Sequence, residues 1–244
     1  MIGTSAILIA AVLVPAFFYS RFSKVGKKSY GNFLVFAGAY LFSITIVHIL
    51  PELFAGSNHS EIGLWVLAGF FFQQVLEYFS TGVEHGHMHL HETSGSGYRP
   101  LVLLIAMSLH ALLEGTLLAH PSTLGSDHSM QGLLMGIVLH KIPASVALMA
   151  LLIHLLNDRA KPWIFICIFS IASPIGLLAG DWILLNNESL EGIFPALFAF
   201  VSGNFLHIST TIVFETSPEH KFNSSRFFIS LLGALVAIVT EFII

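Results

Sequence analysis

The chain has 244 residues, of which 55% are hydrophobic and only 10% are charged, and its formal net charge is −4. Its mean hydropathy is +0.82. Soluble domains contain about 25% charged residues, so this composition predicts a bundle of membrane spans instead of a soluble fold. The weak charge argues against a nucleic-acid ligand, and the single cysteine, Cys167, excludes a disulfide within the chain and a metal site built on several cysteines.

Eight apolar stretches are long enough to cross a bilayer, which takes about 17–25 residues. We therefore expect an all-α integral membrane protein whose eight transmembrane helices form one domain over residues 1–244. The predicted spans are 3–20, 31–54, 61–82, 99–120, 131–155, 162–185, 191–215 and 226–244. The first has no basic segment before it and no small-residue cleavage site, so we interpret it as a retained span and not a signal peptide.

Nine of the ten lysines and arginines lie in the connections that follow odd-numbered spans. They are Arg21, Lys24, Lys27, Lys28, Arg99, Arg159, Lys161, Lys221 and Arg226. By the positive-inside rule these connections face the cytoplasm and both termini lie outside. The outer face is acidic, with Glu52, Glu61, Asp127, Glu188 and Glu191. Such a surface either concentrates cations at its mouth or consists of ordinary solvated side chains.

A histidine-rich connection, residues 83–98, follows span three. Its alternating histidines, a composition typical of metal chelation, are His85, His87, His89 and His91. Because flexible ligands are not held in place, we expect weak and unselective binding of metal there. The alternative is a dispensable polar loop.

Span four carries His110 and Glu114, which lie four residues apart and so share one helix face. Ionisable groups at bilayer depth are costly and by default suggest a functional site. Imidazole nitrogen and carboxylate oxygen are ligands of Zn²⁺ and its neighbours. The alternative is a hydrogen-bonded pair that holds helices together.

Span five carries His140, Lys141 and Pro143. His140 and His110 are at similar distances from the short connection between spans four and five, so we expect them to meet near the midplane and to form a metal site with Glu114. Pro143 frees a backbone group, a recurring feature of transport sites. Lys141 must find a carboxylate, snorkel or lose its proton. It either pairs with Glu114, in competition with a bound cation, or faces elsewhere.

These motifs resemble the ZIP family of divalent-metal transporters over nearly the whole chain. The motif residues are His110-x-x-x-Glu114-Gly115, His140-Lys141-x-Pro143, His48-Ile-Leu-Pro-Glu52, Ser173-Pro174-Ile175-Gly176, Ser202-Gly-Asn-Phe-Leu and Pro218-Glu219. The resemblance implies a ZIP-like bundle with outward termini, in which spans one, four, five and six slide against spans two, three, seven and eight. It also implies an entry and exit path lined by His48, Glu52, His207, Glu215 and Glu219. The alternative is that each of these residues caps a helix or satisfies a backbone group.

The chain departs from the family pattern at a second metal position that many members have. Asn, Asp, Glu and a further acid are replaced there by Ala111, Lys141, Ala144 and Ser173. The resemblance therefore implies a single metal at His110, Glu114 and His140, with Lys141 modulating the site and repelling a second cation.

The predicted function is uptake of Zn²⁺ into the cytoplasm, with the metal as transported substrate and no cofactor. Fe²⁺ or Mn²⁺ are alternatives, because ligand type does not choose among these ions. An intramembrane hydrolase with a metal-activated water is the alternative from another class, although no His-Glu-x-x-His motif is present. We expect no enzyme, a multi-pass protein of a bacterial inner membrane or plasma membrane, and as partners the metal ion, the lipid bilayer and a second copy in a homodimer.

Overall fold

The computed structural model describes residues 1–22, 27–55, 59–80, 99–119, 127–186, 193–215 and 223–242. Its helices are α1 (Ile2–Phe22), α2 (Lys27–Ile44), a π-helix (Thr45–Ile49), α3 (Leu50–Phe54), α4 (His59–Ser80), α5 (Arg99–Leu117), α6 (Asp127–Leu156), α7 (Pro162–Asn186), α8 (Phe194–Glu215) and α9 (Ser224–Phe242). The continuous stretch of α2, the π-helix and α3 forms one span. In these ranges eight helices are long and apolar enough to cross a membrane, which confirms the predicted fold class. The outward position of the termini stays a prediction.

The helices pack as two groups. In the first group α5 packs on α7, and α1 packs on both α6 and α7. In the second group α4 packs on α8, and α2 packs on both α8 and α9. The groups meet mainly where α2 lies against α6 and α4 against α5. In order along the chain, these are spans one, four, five and six against spans two, three, seven and eight, the division that the family resemblance implies.

The central helices differ from the peripheral ones in how much of their surface is covered. The apolar window of α6 is 67% buried and that of α5 is 61% buried, whereas the window of α9 is only 11% buried. Large apolar side chains such as Phe17, Trp65 and Leu232 are exposed on the peripheral helices. An apolar exterior of this kind suits contact with lipid. The interior helices are α5, α6, α8 and span two, each with an apolar window at least 61% buried.

Two glycines bring α5 and α7 into backbone contact. A methyl group on Gly115 would collide with the carbonyl of Ser173, and one on Gly176 would collide with the carbonyl of Leu112. Small residues at a crossing let helix backbones approach closely, and this contact is reciprocal. Because Gly115 directly follows Glu114, the contact also fixes the position of that carboxylate along α5.

The packing of α4 on α8 repeats this arrangement. Gly69 faces the carbonyl of Phe200, and Gly203 faces the carbonyl of Val66. The rings of Phe72 and Phe200 pack beside the crossing, with centroids 5.2 Å apart. Each helix group therefore has one close, glycine-based pair.

A π-helix at Thr45–Ile49 interrupts span two, and the sequence did not predict it. The backbone N–H of Leu50 donates to the carbonyl of Thr45, five residues earlier. Pro51 follows directly. Because a proline has no backbone N–H to donate and its ring crowds the preceding turn of an α-helix, the wider π turn accommodates it. By contrast α6 continues as helix through Pro143.

The connection between α6 and α7 is short and capped. Asn157 has a φ of 45°, the left-handed conformation that often ends a helix. The carboxylate of Asp158 then accepts the backbone N–H of Ala160 at 2.6 Å and that of Lys161 at 3.1 Å. These hydrogen bonds, the one from Ala160 above all, hold the pKa of Asp158 below its usual range.

Candidate metal site

Three potential metal ligands converge between α5 and α6, and each is almost fully buried. One ligand atom from each of His110, Glu114 and His140 lies within 4.8 Å of the other two. Oε1 of Glu114 lies 2.9 Å from Nε2 of His110 and 4.0 Å from Nε2 of His140. Bonds of about 2.0–2.1 Å in a tetrahedral zinc site place ligand atoms about 3.3 Å apart, between these two distances. The predicted trio is therefore together, with a spacing close to that of a metal site.

The two imidazoles stand nearly perpendicular to each other. The ring centroids of His110 and His140 are 5.7 Å apart and the rings make an angle of 86°. A single carboxylate oxygen of Glu114 thus faces two nitrogens that come from different helices. Two of the ligands belong to α5 and the third to α6, so the site depends on how these helices are held together.

Lys141 pairs with the other oxygen of Glu114. Its Nζ atom lies 2.5 Å from Oε2, and the lysine side chain is only 3% exposed. The ammonium group also lies 5.5 Å from the ring centroid of Phe169, within the range of a cation–π contact. The sequence left open whether Lys141 meets Glu114 or faces elsewhere, and the structure places it on Glu114.

The positions where the resemblance places second-metal ligands contain a different contact. The hydroxyl of Ser173 on α7 donates to the carbonyl of Ala111 on α5 at 2.7 Å. Ala111 and Ala144 belong to the same buried apolar cluster. The space beside the trio is thus occupied by methyl groups and one interhelical hydrogen bond, together with the ammonium of Lys141.

A second polar cluster lies near the ends of span two and α9. Nδ1 of His48 lies 2.8 Å from Oε1 of Glu241, and Nε2 lies 3.4 Å from Oε2 of Glu52. The sequence pointed to His48 and Glu52 as path residues but missed Glu241. The signal for it was a lone carboxylate inside the last apolar span.

A third polar pair joins α4 to α8. Nε2 of His207 lies 2.5 Å from Oε2 of Glu77. The edge of His207 also meets the ring of Phe70, with centroids 4.8 Å apart. Glu77 was missed as well, although it is a carboxylate near the end of a largely apolar span.

Asn204 is a further buried polar residue, three positions before His207 on α8. It is fully buried, and neither its amide nitrogen nor its amide oxygen has a hydrogen-bond partner among the described residues. Buried amides are normally paired, because an unpaired one costs roughly 1–3 kcal/mol. In the sequence, Asn204 stands out only as a member of the motif Ser202-Gly-Asn-Phe-Leu.

The remaining predicted path and loop residues are one residue at the end of α8 and five outside the described ranges. Glu215 is the last residue of α8. Glu219 and the loop histidines fall outside the described residues; these histidines are His85, His87, His89 and His91.

Comparison with known proteins identifies a family and several relatives. Residues 80–241 match a family described as ZIP Zinc transporter. Protein zntD of Dictyostelium discoideum is 32% identical over 173 residues, which cover 64% of this chain and 25% of that protein. Zinc transporter ZIP1 of Danio rerio is 26% identical over 161 residues, which cover 59% of this chain and 50% of that protein. Zinc transporter ZIP9 of Xenopus tropicalis is 22% identical over 167 residues, or 64% of this chain and 52% of that protein. The chain thus matches a quarter to about half of the length of these relatives.

Proposed function

This chain belongs to the ZIP family of zinc transporters, and we propose that it carries a divalent metal cation, Zn²⁺ in the first place, across the membrane into the cytoplasm. The observation behind the proposal is the buried convergence of His110, Glu114 and His140 inside membrane-length helices. Such groups are costly at bilayer depth and supply the nitrogen and oxygen ligands that Zn²⁺ prefers. The chain is a multi-pass integral membrane protein.

The charges around the trio suit transient binding of the metal. With neutral imidazoles, Glu114 and Lys141 cancel each other, so the empty site is formally neutral. A dication added to this buried site leaves an excess of two positive charges, which is unfavourable in a medium of low dielectric constant. The cation must also compete with Lys141 for the same carboxylate. We infer that the metal displaces the ammonium when it binds and that the returning ammonium favours release.

The polar clusters on either side of the trio suggest the route. In the proposed orientation, His48 and Glu52 lie toward the acidic outer face, and His207 with Glu77 lies toward the cytoplasmic ends of α8 and α4. Glu215, Glu219 and the loop histidines His85, His87, His89 and His91 follow on the cytoplasmic side, where they receive the released ion. The division into two helix groups supports a sliding movement of the group that carries the trio.

The alternatives differ in how much supports them. Fe²⁺ or Mn²⁺ uptake remains compatible with the ligand set, because affinity order alone does not select Zn²⁺. A hydrolase would need a general acid or base beside an open metal position, and Lys141 pairs with the one carboxylate of the trio instead. Membership in a transporter family also favours transport over hydrolysis. We propose that residues 1–244 work as one transport domain. That the protein is a homodimer in a bacterial inner membrane or plasma membrane stays a prediction.

Uptake of radioactive zinc into proteoliposomes tests the function. His110→Ala and His140→Ala each remove one ligand without leaving Lys141 unpaired, and we expect both to reduce uptake by at least tenfold. His154→Ala is the matched control, because His154 lies exposed near the end of the same helix α6 as His140. Near-normal uptake by both trio variants would exclude this site as the transport site.

Competition in the same vesicles tests the choice of metal. Unlabelled Zn²⁺, Fe²⁺ and Mn²⁺ are added in turn against the radioactive zinc. We expect unlabelled Zn²⁺ to compete at the lowest concentration. A stronger effect of Fe²⁺ or Mn²⁺ would keep the transport proposal and change its substrate.

A further inference from the structure

Two tyrosines of α2 cross the boundary between the helix groups and hydrogen-bond to the backbone of α6. The hydroxyl of Tyr30 donates to the carbonyl of Pro143 at 3.2 Å. The hydroxyl of Tyr40 donates to the carbonyl of Gly132 at 3.1 Å. Because α2 packs in the second group and α6 in the first, each hydrogen bond joins two parts of the protein that slide past each other in the proposed movement.

The two hydrogen bonds fix one antiparallel register of α2 and α6. The tyrosines are ten residues apart along α2, and the two carbonyls are eleven residues apart along α6 in the opposite direction. At a rise of about 1.5 Å per residue these separations are about 15 Å and about 16.5 Å, so one relative position of the helices satisfies both bonds. His140 lies on α6 between the two carbonyls. The register therefore sets the height of this trio residue against the second group.

The surroundings of Tyr40 hold its hydroxyl at the boundary. The side chain is fully buried, and its ring lies against Gly136, where an added methyl group would come within 3.2 Å of Cε1. Gly132 is one turn away from Gly136 on α6, so two glycines leave room for the ring and expose the carbonyl that it reaches. Oγ1 of Thr240 on α9 lies 2.9 Å from the same hydroxyl. The phenol is thus attached to the second group while it donates to the first.

Tyr30 also contacts both groups. Its ring packs against the apolar cluster of the first group that contains Leu148. It also packs against the cluster of Leu34, Ile208 and Ile212 in the second group. Apolar contact has no preferred direction, whereas a hydrogen bond needs its donor and acceptor at fixed positions. The ring therefore supplies adhesion between the groups, and the hydroxyl selects the register.

We propose that Tyr30 and Tyr40 are positioning residues that lock α6, and with it the trio, in one register against the second helix group. A shift along the helix axes moves both carbonyls by the same amount, so both bonds break together. Half a helical turn, about 2.7 Å, already takes donor and acceptor beyond hydrogen-bond distance. The lock therefore favours this register over its neighbours. Its opening in each transport cycle rests on the proposed function, whereas the register itself does not.

Distances between spin labels test the lock without transport. Cys167→Ser removes the one cysteine of the full chain. Labels are attached to Phe18→Cys near the end of α1, in the first group, and to Leu64→Cys near the start of α4, in the second; both positions are exposed. Because spans one and three run in the same direction, the labels lie at opposite faces of the bundle, and a slide changes their separation. Electron–electron double resonance measures the distribution of this distance in detergent without metal.

Tyr30→Phe and Tyr40→Phe each remove one hydroxyl and keep the ring. One hydrogen bond of average strength shifts an equilibrium about fivefold. We expect the population at a second distance, relative to the first, to rise about fivefold in each variant. The double variant should show a rise of about twenty-fivefold, because the two bonds lie far apart and act independently. Tyr78→Phe, which removes an exposed hydroxyl on α4, is the matched control and should leave the distribution unchanged.

A distance within the second group separates a change of register from a general loosening of the fold. Leu64→Cys with Phe228→Cys, an exposed position on α9, provides this distance, and it should stay the same in every variant. A double variant with the parent's distribution, or one whose within-group distance changes as much as the distance between groups, would overturn the lock. Absence of zinc uptake by the parent protein in proteoliposomes would instead overturn the proposed function and leave the distance result standing.

Discussion

The ammonium group of Lys141 lies 2.5 Å from Oε2 of Glu114, so the carboxylate that faces two histidines through one oxygen is neutralised through the other. The protein thus provides its own cation at a site suited to a metal. This stabilises the carboxylate in the absence of metal and opposes the metal when it arrives. Affinity and stability are therefore linked through one ion pair.

Removal of the lysine charge should strengthen metal binding. A dication and a unit positive charge about 5 Å apart repel by roughly 7 kcal/mol at an effective dielectric constant of 20. We expect Lys141→Met to raise the affinity for Zn²⁺ at least tenfold and to slow its release. Competition with a chromophoric chelator measures the affinity, and Lys161→Met at an exposed lysine is the control. An unchanged affinity would mean that the ammonium does not oppose the metal.

Removal of the carboxylate should destabilise the fold through the lysine. Glu114→Gln leaves a buried ammonium without its counter-charge, and breaking a buried pair from one side costs about 3–5 kcal/mol. We expect a clear fall in thermal stability in detergent. The double variant Glu114→Gln with Lys141→Met should recover most of that stability without recovering zinc uptake. A double variant as unstable as the single one would contradict the pairing.

Asn204 should show a conflict between stability and transport. Asn204→Leu replaces a buried amide that has no hydrogen-bond partner in the described part of the chain. The leucine is apolar and of similar size, so the free energy of unfolding should rise by about 1 kcal/mol. If the amide serves the passing ion near His207, zinc uptake should fall severalfold in the same variant. Thermal unfolding and uptake are measured on one preparation. A stabilised protein with full uptake would show that the amide has no part in transport.

The contact of α5 with α7 should be sensitive to a single methyl group. Gly115→Ala would collide with the carbonyl of Ser173 and force the helices apart. Overpacking of this kind typically costs about 1–3 kcal/mol, and the shift of Glu114 should reduce uptake as well. Gly31→Ala is the matched control, because nothing lies within 4 Å of a methyl group there. Equal stability of the two variants would contradict the close packing.

The helices and the trio could be predicted from sequence for simple reasons. Apolar length identifies a span, and a spacing of four residues places His110 and Glu114 on one face whatever the rest of the bundle does. The partner of Lys141 could not be predicted, because spacing does not fix the direction of a long flexible side chain between neighbouring helices.

The positions of Glu241 and Glu77 needed the fold. Each is a carboxylate in a largely apolar span, and its partner histidine, His48 or His207, lies on a helix far away in the sequence. The π-helix before Pro51 was also invisible, since proline in a span predicts only some local adjustment. Hydropathy recognises spans but carries no information about which faces meet.

The trio has one further property, which follows from the division of the helices. His110, Glu114 and His140 all belong to α5 and α6, and both helices lie in the same packed group. Any displacement of the two groups relative to each other therefore leaves the distances among the three ligands unchanged. An ion bound there would keep its three protein ligands throughout the movement. Selection among metals would therefore act only when the ion binds and when it is released.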